Sequence, residues 1–400
     1  MLTRREFFSV AAAGAALSTF PRVPGLHAAQ FDLLIKGGRV IDPSRNFDAM
    51  ADVGIAGGKI AVVQPNLAGS SAASVDTIDA TGRLVVPGLI DIHTHAARDK
   101  EEAAICLADG VTSLIDAGSQ GSDRIDEVVA TAKAAPNRMR VLINIAKTGI
   151  TPEGELMDIG HVDVAATRAA IERHRDIVVG IKARLSKSVA GANDLEALHR
   201  AQSIATPLNI PIMIHMGDTV SPLPAILALL KPGDIVTHMY APPPHGIFDD
   251  GGTLLPEVAA ARKRGVYFDF GNGRVAHFTW ASVEHALDQR VLPDTISSDW
   301  TDAGRADQVV DFGNVLSKFL MLGMSTDQVI ARGTVNAATV FQAFKGLGTL
   351  RVGAPADVSI LEMRTGKFEF VDNANTKKTG NRRLFASAVV FGGKRAQPRV

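Results

Sequence analysis

Six side chains able to hold a divalent ion or move a proton stand near the ends of apolar runs in this chain. They are His93 and His95 in PGLIDIHTH, Lys182 in GIKARLS, His215 in IPIMIHMG, His238 in DIVTHMY and Asp299 in DTISSD. Successive side chains of a strand point to opposite faces, so His93 and His95 share one face roughly 7 Å apart and can converge on one point. Imidazole nitrogen and carboxylate oxygen suit zinc and its divalent neighbours. A single strand-end histidine is as well explained by a hydrogen bond in the core, but that reading weakens when six such groups fall at equivalent places.

Lys182 is the odd member of the set. An ammonium group among imidazoles and a metal is repelled, and a buried lysine tends to lose its proton. A neutral amine near divalent metals can take up carbon dioxide as a carbamate, becoming a bidentate oxygen ligand able to bridge two ions. The competing reading pairs Lys182 with Asp116 or Asp299.

The elements that must position these groups follow from the apolar pattern. Eight β-type runs, VVPGLIDIH, VTSLIDAG, RVLINIA, IVVGIKARLS, IPIMIHMG, DIVTHMY, VYFDFG and DTISSD, alternate with alanine-rich or amphipathic stretches such as NDLEALHRAQSIA and LPEVAAARKRG. Near-continuously apolar strands separated by helices over ~250 residues predict an α/β fold of the eightfold βα-barrel (TIM) type, with active groups at the strand C-termini. A doubly wound sheet is the alternative, but no GxGxxG follows the first strand and no GxxxxGK[ST] loop occurs. FDLLIKGGRVIDPSRNFDAMADVGIAGGKIAVVQPNL near the start, and GTLRVGAPADVSILEM with RLFASAVVFGGKR near the end, are short β-type runs broken by Gly and Pro turns. One small β-sandwich domain built from residues 30–86 and 345–400, flanking a barrel over 87–344, is expected.

Composition narrows the chemistry. The 400 residues hold 42 Lys+Arg against 42 Asp+Glu, so no basic surplus attracts nucleic acid, and a small-molecule substrate is favoured. The one cysteine, Cys106, excludes an intramolecular disulfide and a thiolate metal site. In MLTRREFFSVAAAGAALSTF, Arg4 and Arg5 precede a small apolar run from Ser9 to Leu17, the pattern of a twin-arginine export signal. That run is too short for a permanent span of a bilayer core of ~30 Å. Residues 1–29 are therefore read as a leader, and the mature chain as a periplasmic protein without a membrane anchor; a homo-oligomer stays open.

PGLIDIHTH, the lysine of GIKARLS, His215, His238, the SSD containing Asp299, and TVNAA followed by GTLRVGAPADV together resemble the amidohydrolase superfamily. GVTSLIDAGSQG, GIKARLS and FDFGNG resemble its dihydroorotase-like and D-aminoacylase-like branch, which includes deacetylases. The resemblance implies that His93, His95 and Asp299 hold one ion, zinc by preference, that His215 and His238 hold a second, and that N6-carboxylated Lys182 bridges them. It further implies hydrolysis by metal-bound hydroxide, water's pKa falling from ~15.7 towards 7 on the metal, with Asp299 as catalytic base and then acid.

Around that centre, Arg184, two residues from Lys182 on the same strand face, is a candidate carboxylate clamp, and Tyr240 and Asn272 are candidate substrate contacts. The branch resemblance leads one to look for a histidine where GNG has Asn272. His245 and His277, on loops over the barrel mouth, are not expected to be ligands. The expected activity is deacylation of an N-acyl amino acid or O-acyl hydroxy acid; the alternatives are a cyclic amidohydrolase and a non-catalytic metal- or solute-binding protein.

Overall fold

The computed structural model describes residues 31–67, 74–305 and 311–396, and the leader expected over 1–29 lies outside them. Five short strands come first: β1 (Phe31–Asp42), β2 (Phe47–Ala56), β3 (Lys59–Gln64), β4 (Ser74–Asp79) and β5 (Leu84–Pro87). Seven parallel strands follow, each hydrogen-bonded to the next in chain order: β6 (Leu89–Thr94), β7 (Val111–Ala117), β8 (Arg138–Asn144), β9 (Val178–Arg184), β10 (Ile212–His215), β11 (Ile235–Thr237) and β12 (Tyr267–Phe268). Helices separate them, and apolar side chains pack the space between helices and strands.

The eighth expected strand, DTISSD, closes the ring without forming a regular strand. Parallel bridges join Thr295 to Asp269 on one side and Trp300 to Thr94 on the other. The backbone N–H of Phe270 donates to Thr295 O (3.0 Å), that of Asn272 to Ser297 O (3.0 Å), that of Asp299 to His93 O (2.8 Å) and that of His95 to Trp300 O (2.8 Å). Ser297 and Ser298 turn their hydroxyls onto the buried carboxylates of Asp269 and Asp91, and Asp299 itself adopts φ 52°. Such side-chain bonds and a left-handed residue compete with the regular ladder.

Inside the ring, Ile90, Ile92, Ile115, Leu142, Met213 and Ile235 form an apolar stack. The helix Val335–Val340 and the turn Gln342–Phe344 plug its lower end with Ala337, Val340, Phe341 and Phe344. Ile90, near the start of β6, donates its N–H to Gly333 O just before that plug (2.8 Å). The opposite, C-terminal end of the barrel is therefore the one left open.

The chain's second sheet is built from both termini, adding β13 (Val358–Val371), β14 (Lys377–Phe391) and β15 (Lys394–Arg395) in the order β15-β14-β13-β5-β1-β2-β3, with β4 beside β1. The expected sandwich is thus hydrogen-bonded as one continuous path of strands around a core of Leu33, Val53, Ile55, Ile60, Val85, Val358 and Ile360. VVPGLIDIH, read as one strand, divides: Leu84–Pro87 joins the terminal sheet and Leu89–Thr94 opens the barrel. Gly88 marks the change, because a Cβ there would lie 2.2 Å from Thr112 Oγ1. Arg138 of β8 donates to Asp357 at 2.6 Å and ties the barrel to the terminal sheet. Among the described residues no helix is long and apolar enough to cross a membrane.

Candidate metal centre

The six sequence-derived groups meet at the open end of the barrel. His93 Nε2 and His95 Nε2 each lie 3.2 Å from Asp299 Oδ1, and Lys182 Nζ lies 3.2 Å from His93 Nε2. His238 Nε2 is 4.0 Å from Asp299 Oδ2. The His215 and His238 rings meet edge to face with centroids 4.3 Å apart, and His93 and His238 are 5.1 Å apart. Two of the groups sit on strained backbone, His238 at φ 65° and Asp299 at φ 52°. Non-glycine residues in that region cost on the order of 1–3 kcal/mol each and concentrate at functional sites.

The surrounding hydrogen bonds fix the histidine tautomers. Thr237 Oγ1 spends its one proton on Asp269 Oδ2 (2.7 Å), so it accepts from His93 Nδ1–H (2.9 Å). Ser119 Oγ likewise donates to Asp116 Oδ2 (2.8 Å) and accepts from His95 Nδ1–H (2.9 Å). His238 Nδ1–H donates to Gly271 O (2.8 Å). In all three histidines the Nε2 lone pair faces the centre, and that of His238 has no hydrogen-bond partner. A carboxylate–hydroxyl–imidazole relay of this kind orients a metal-binding histidine from behind.

Electrostatics agree with that disposition. Burial, with Lys182 nearby, holds His93 far below the ordinary imidazole range; burial also drives His215 and His238 far down, so all three are neutral. Burial lowers Lys182 to about 7, leaving a substantial fraction as free amine at neutral pH. Burial pushes the Asp299 carboxyl upward, but His93, His95 and His277 outweigh it and hold the group below the usual carboxylate range. Two imidazole lone pairs aimed at one oxygen of an ionised carboxylate repel unless a cation lies between them. The donor set therefore fits a divalent ion.

A cavity of about 720 Å³ opens above the cluster, walled by Arg98, Ile150, Arg184, Ser186, Val275 and Thr301 among others. Arg184 lies on its wall, with Nη1 3.2 Å from both oxygens of the fully buried Glu155. Two expected substrate contacts are corrected. Tyr240 is buried in the core, its hydroxyl donating to Val291 O at 2.8 Å. The positive φ of His238 ends the strand, so the two-residue alternation no longer applies to Tyr240. Asn272, between Gly271 (φ 53°) and Gly273 (φ 57°), is turned away from the cavity and accepts from Lys318 Nζ at 2.7 Å.

His245 lines the cavity, its Nε2 3.1 Å from Asp218 and outside the cluster. His277, expected on a loop over the barrel mouth and not as a ligand, stands inside the cluster. Its ring stacks on His238 (centroids 3.8 Å, 16°), and its Nδ1 lies 3.7 Å from Asp299 Oδ2. His215, His238 and His277 bring ligand atoms within 4.8 Å of one another, as do His93, His238 and Asp299.

A closed βα barrel with a terminal-strand sheet and a histidine, lysine and aspartate cluster at its strand ends is the architecture of a barrel enzyme with a metal-competent centre. The chain belongs to the amidohydrolase family, hydrolases acting on C–N bonds, whose family model matches residues 84–394. It is 30% identical to a deacetylase of Enterococcus faecalis over 91% of this chain and 98% of that protein. Among solved structures it is similar to an adenine deaminase (TM-score 0.82, 30% identity, 92% of this chain and 99% of that one). It is also similar to a dihydroorotase (TM-score 0.81, 25% identity, 91% and 98%).

Proposed function

We propose that this protein is a binuclear metal-dependent deacylase that hydrolyses the acyl amide or ester bond of a small carboxylate, an N-acyl amino acid or O-acyl hydroxy acid. The observation that carries the reading is the set of Nε2 lone pairs of His93, His95 and His238 fixed towards the ionised Asp299 carboxylate. His93, His95 and Asp299 would hold one ion, His215 and His238 a second, and Lys182, carboxylated on its neutral amine, would bridge them; zinc suits the donors. Bound there, the metal supplies Lewis acidity towards a carbonyl and brings water's pKa to about 7.

The chain's own groups do the rest. Asp299 takes the attacking water's proton at a carboxylate oxygen and returns it to the leaving nitrogen or oxygen. The neighbouring histidines hold it ionised. Arg98 and Arg274 on the cavity wall would supply the charge that a substrate carboxylate requires, with Arg184, held by Glu155, beside them. The deacetylase match over nearly the whole chain supports deacylation over ring opening. The likeness to a dihydroorotase keeps cyclic amide hydrolysis as the second reading, since the same groups would serve it.

A turnover screen decides between them: N-acetyl and N-formyl amino acids of both hands, O-acetyl hydroxy acids, dihydroorotate and adenine. Turnover confined to acylated carboxylates is expected; turnover of dihydroorotate or adenine alone would overturn the assignment. We propose also that the chain is exported folded by the twin-arginine pathway and acts in the periplasm after loss of residues 1–29.

A further inference from the structure

The loop carrying His277 is held by the far end of the chain. Asn373, in the turn joining β13 to β14, accepts at Oδ1 from both His277 N–H (3.0 Å) and Phe278 N–H (3.1 Å), and donates from Nδ2 to Gly273 O (3.2 Å). The neighbouring Asp372 accepts from Trp280 N–H (2.9 Å). Behind the loop, the buried Lys318 donates to Asn272 Oδ1 (2.7 Å) and Val371 O (2.9 Å), and Asn272 donates to Gly273 O (2.9 Å). Within the loop, Ala276 is forced to φ 56°, and Gly273 leaves room where a Cβ would lie 1.7 Å from His277 Nδ1.

All of this aims one imidazole. His277 Nδ1 has no hydrogen-bond partner, and neither has the fully buried His238 Nε2 stacked beside it. Buried polar atoms rarely stay unsatisfied, and two neutral imidazoles converging with a third, His215, are a nitrogen donor set for a borderline ion such as Zn²⁺ or Co²⁺ rather than Mg²⁺ or Ca²⁺. We propose that His277 is a ligand of the second divalent ion, completing a three-imidazole site with His215 and His238, and that Asn373 of the terminal sheet is the residue that positions it. This rests on the metal reading above. It adds that the second ion has three protein ligands before the lysine carbamate is counted, so this position fills without it.

Metal-stripped full-length protein is titrated with Co²⁺, the stoichiometry taken from elemental analysis and the coordination from the visible spectrum of bound cobalt. The wild type is expected to bind two ions, and His277→Ala to lose the second together with its absorption band. Lys182→Ala is expected to keep the three-imidazole ion. Asn373→Ala, which spares every ligand, should weaken the second ion about 10- to 100-fold, the usual effect of removing an outer-shell partner, and it decides the matter if His277→Ala fails to fold. His277→Ala or Asn373→Ala binding two ions with unchanged affinity and spectrum would overturn the role of His277. Loss of both ions in Lys182→Ala would overturn the independence of the site from the carbamate. A wild type that binds no cobalt would instead overturn the metal reading itself.

Discussion

At the scale of single residues, the centre is defined less by its ligands than by the hydroxyls behind them. Thr237 and Ser119 decide which nitrogen of His93 and His95 carries the proton. Thr237→Val keeps the shape and removes that control, so metal affinity should fall about 10- to 100-fold with the fold intact, as measured by competition with a chelator. Asp299→Asn keeps a ligand oxygen but not the proton carrier; turnover should drop by at least about 100-fold while bound metal changes little. Unchanged turnover in Asp299→Asn would remove its assignment as base. His93 with His95, and Lys182 with Arg184, were legible because regular strands obey a two-residue alternation, whereas His215, His238 and Asp299 were legible only as polar groups closing apolar runs. Tyr240 and Asn272 escaped that rule because the backbone turns left-handed at His238 and at the glycines flanking Asn272. His277 was legible as a loop residue over the barrel mouth but not as a member of the cluster, since Asn373, which holds its backbone, is remote in the chain.

At the scale of elements, the barrel was readable from its apolar runs, including the closing segment that never becomes a regular strand. The division of VVPGLIDIH at Gly88 was not, because it depends on a close approach to Thr112 that no periodicity records. The plug Val335–Phe344 fills the bottom of the ring, at the end of the barrel away from the candidate centre. Phe341, 1% exposed, is the test of that separation. Phe341→Ala should destabilise the protein by about 3–5 kcal/mol through the cavity it leaves, seen as a lower denaturation midpoint, with metal stoichiometry unchanged. A loss of metal in proportion to the loss of stability would show instead that plug and centre are one cooperative unit.

At the scale of the whole molecule, the two sheets are joined through buried polar contacts, and Lys318 is the one with a pH signature. Burial, against the opposing pull of Asp372, lowers its ammonium to about 7 in the folded chain, from the ordinary lysine value of 10.5. The unfolded chain therefore binds the extra proton between those values, and stability should rise with pH across that window, with a slope of up to about 1.4 kcal/mol per pH unit. Lys318→Met should flatten the slope by that one proton, as read from urea midpoints at pH 7 and pH 9. Export is tested by replacing Arg4 and Arg5 with Lys, which should hold the protein in the cytoplasm. The central claim is that these strand-end groups form a binuclear metal centre, and elemental analysis of the zinc-loaded mature protein tests it most directly. Two ions per chain are predicted; one ion or none would contradict the account.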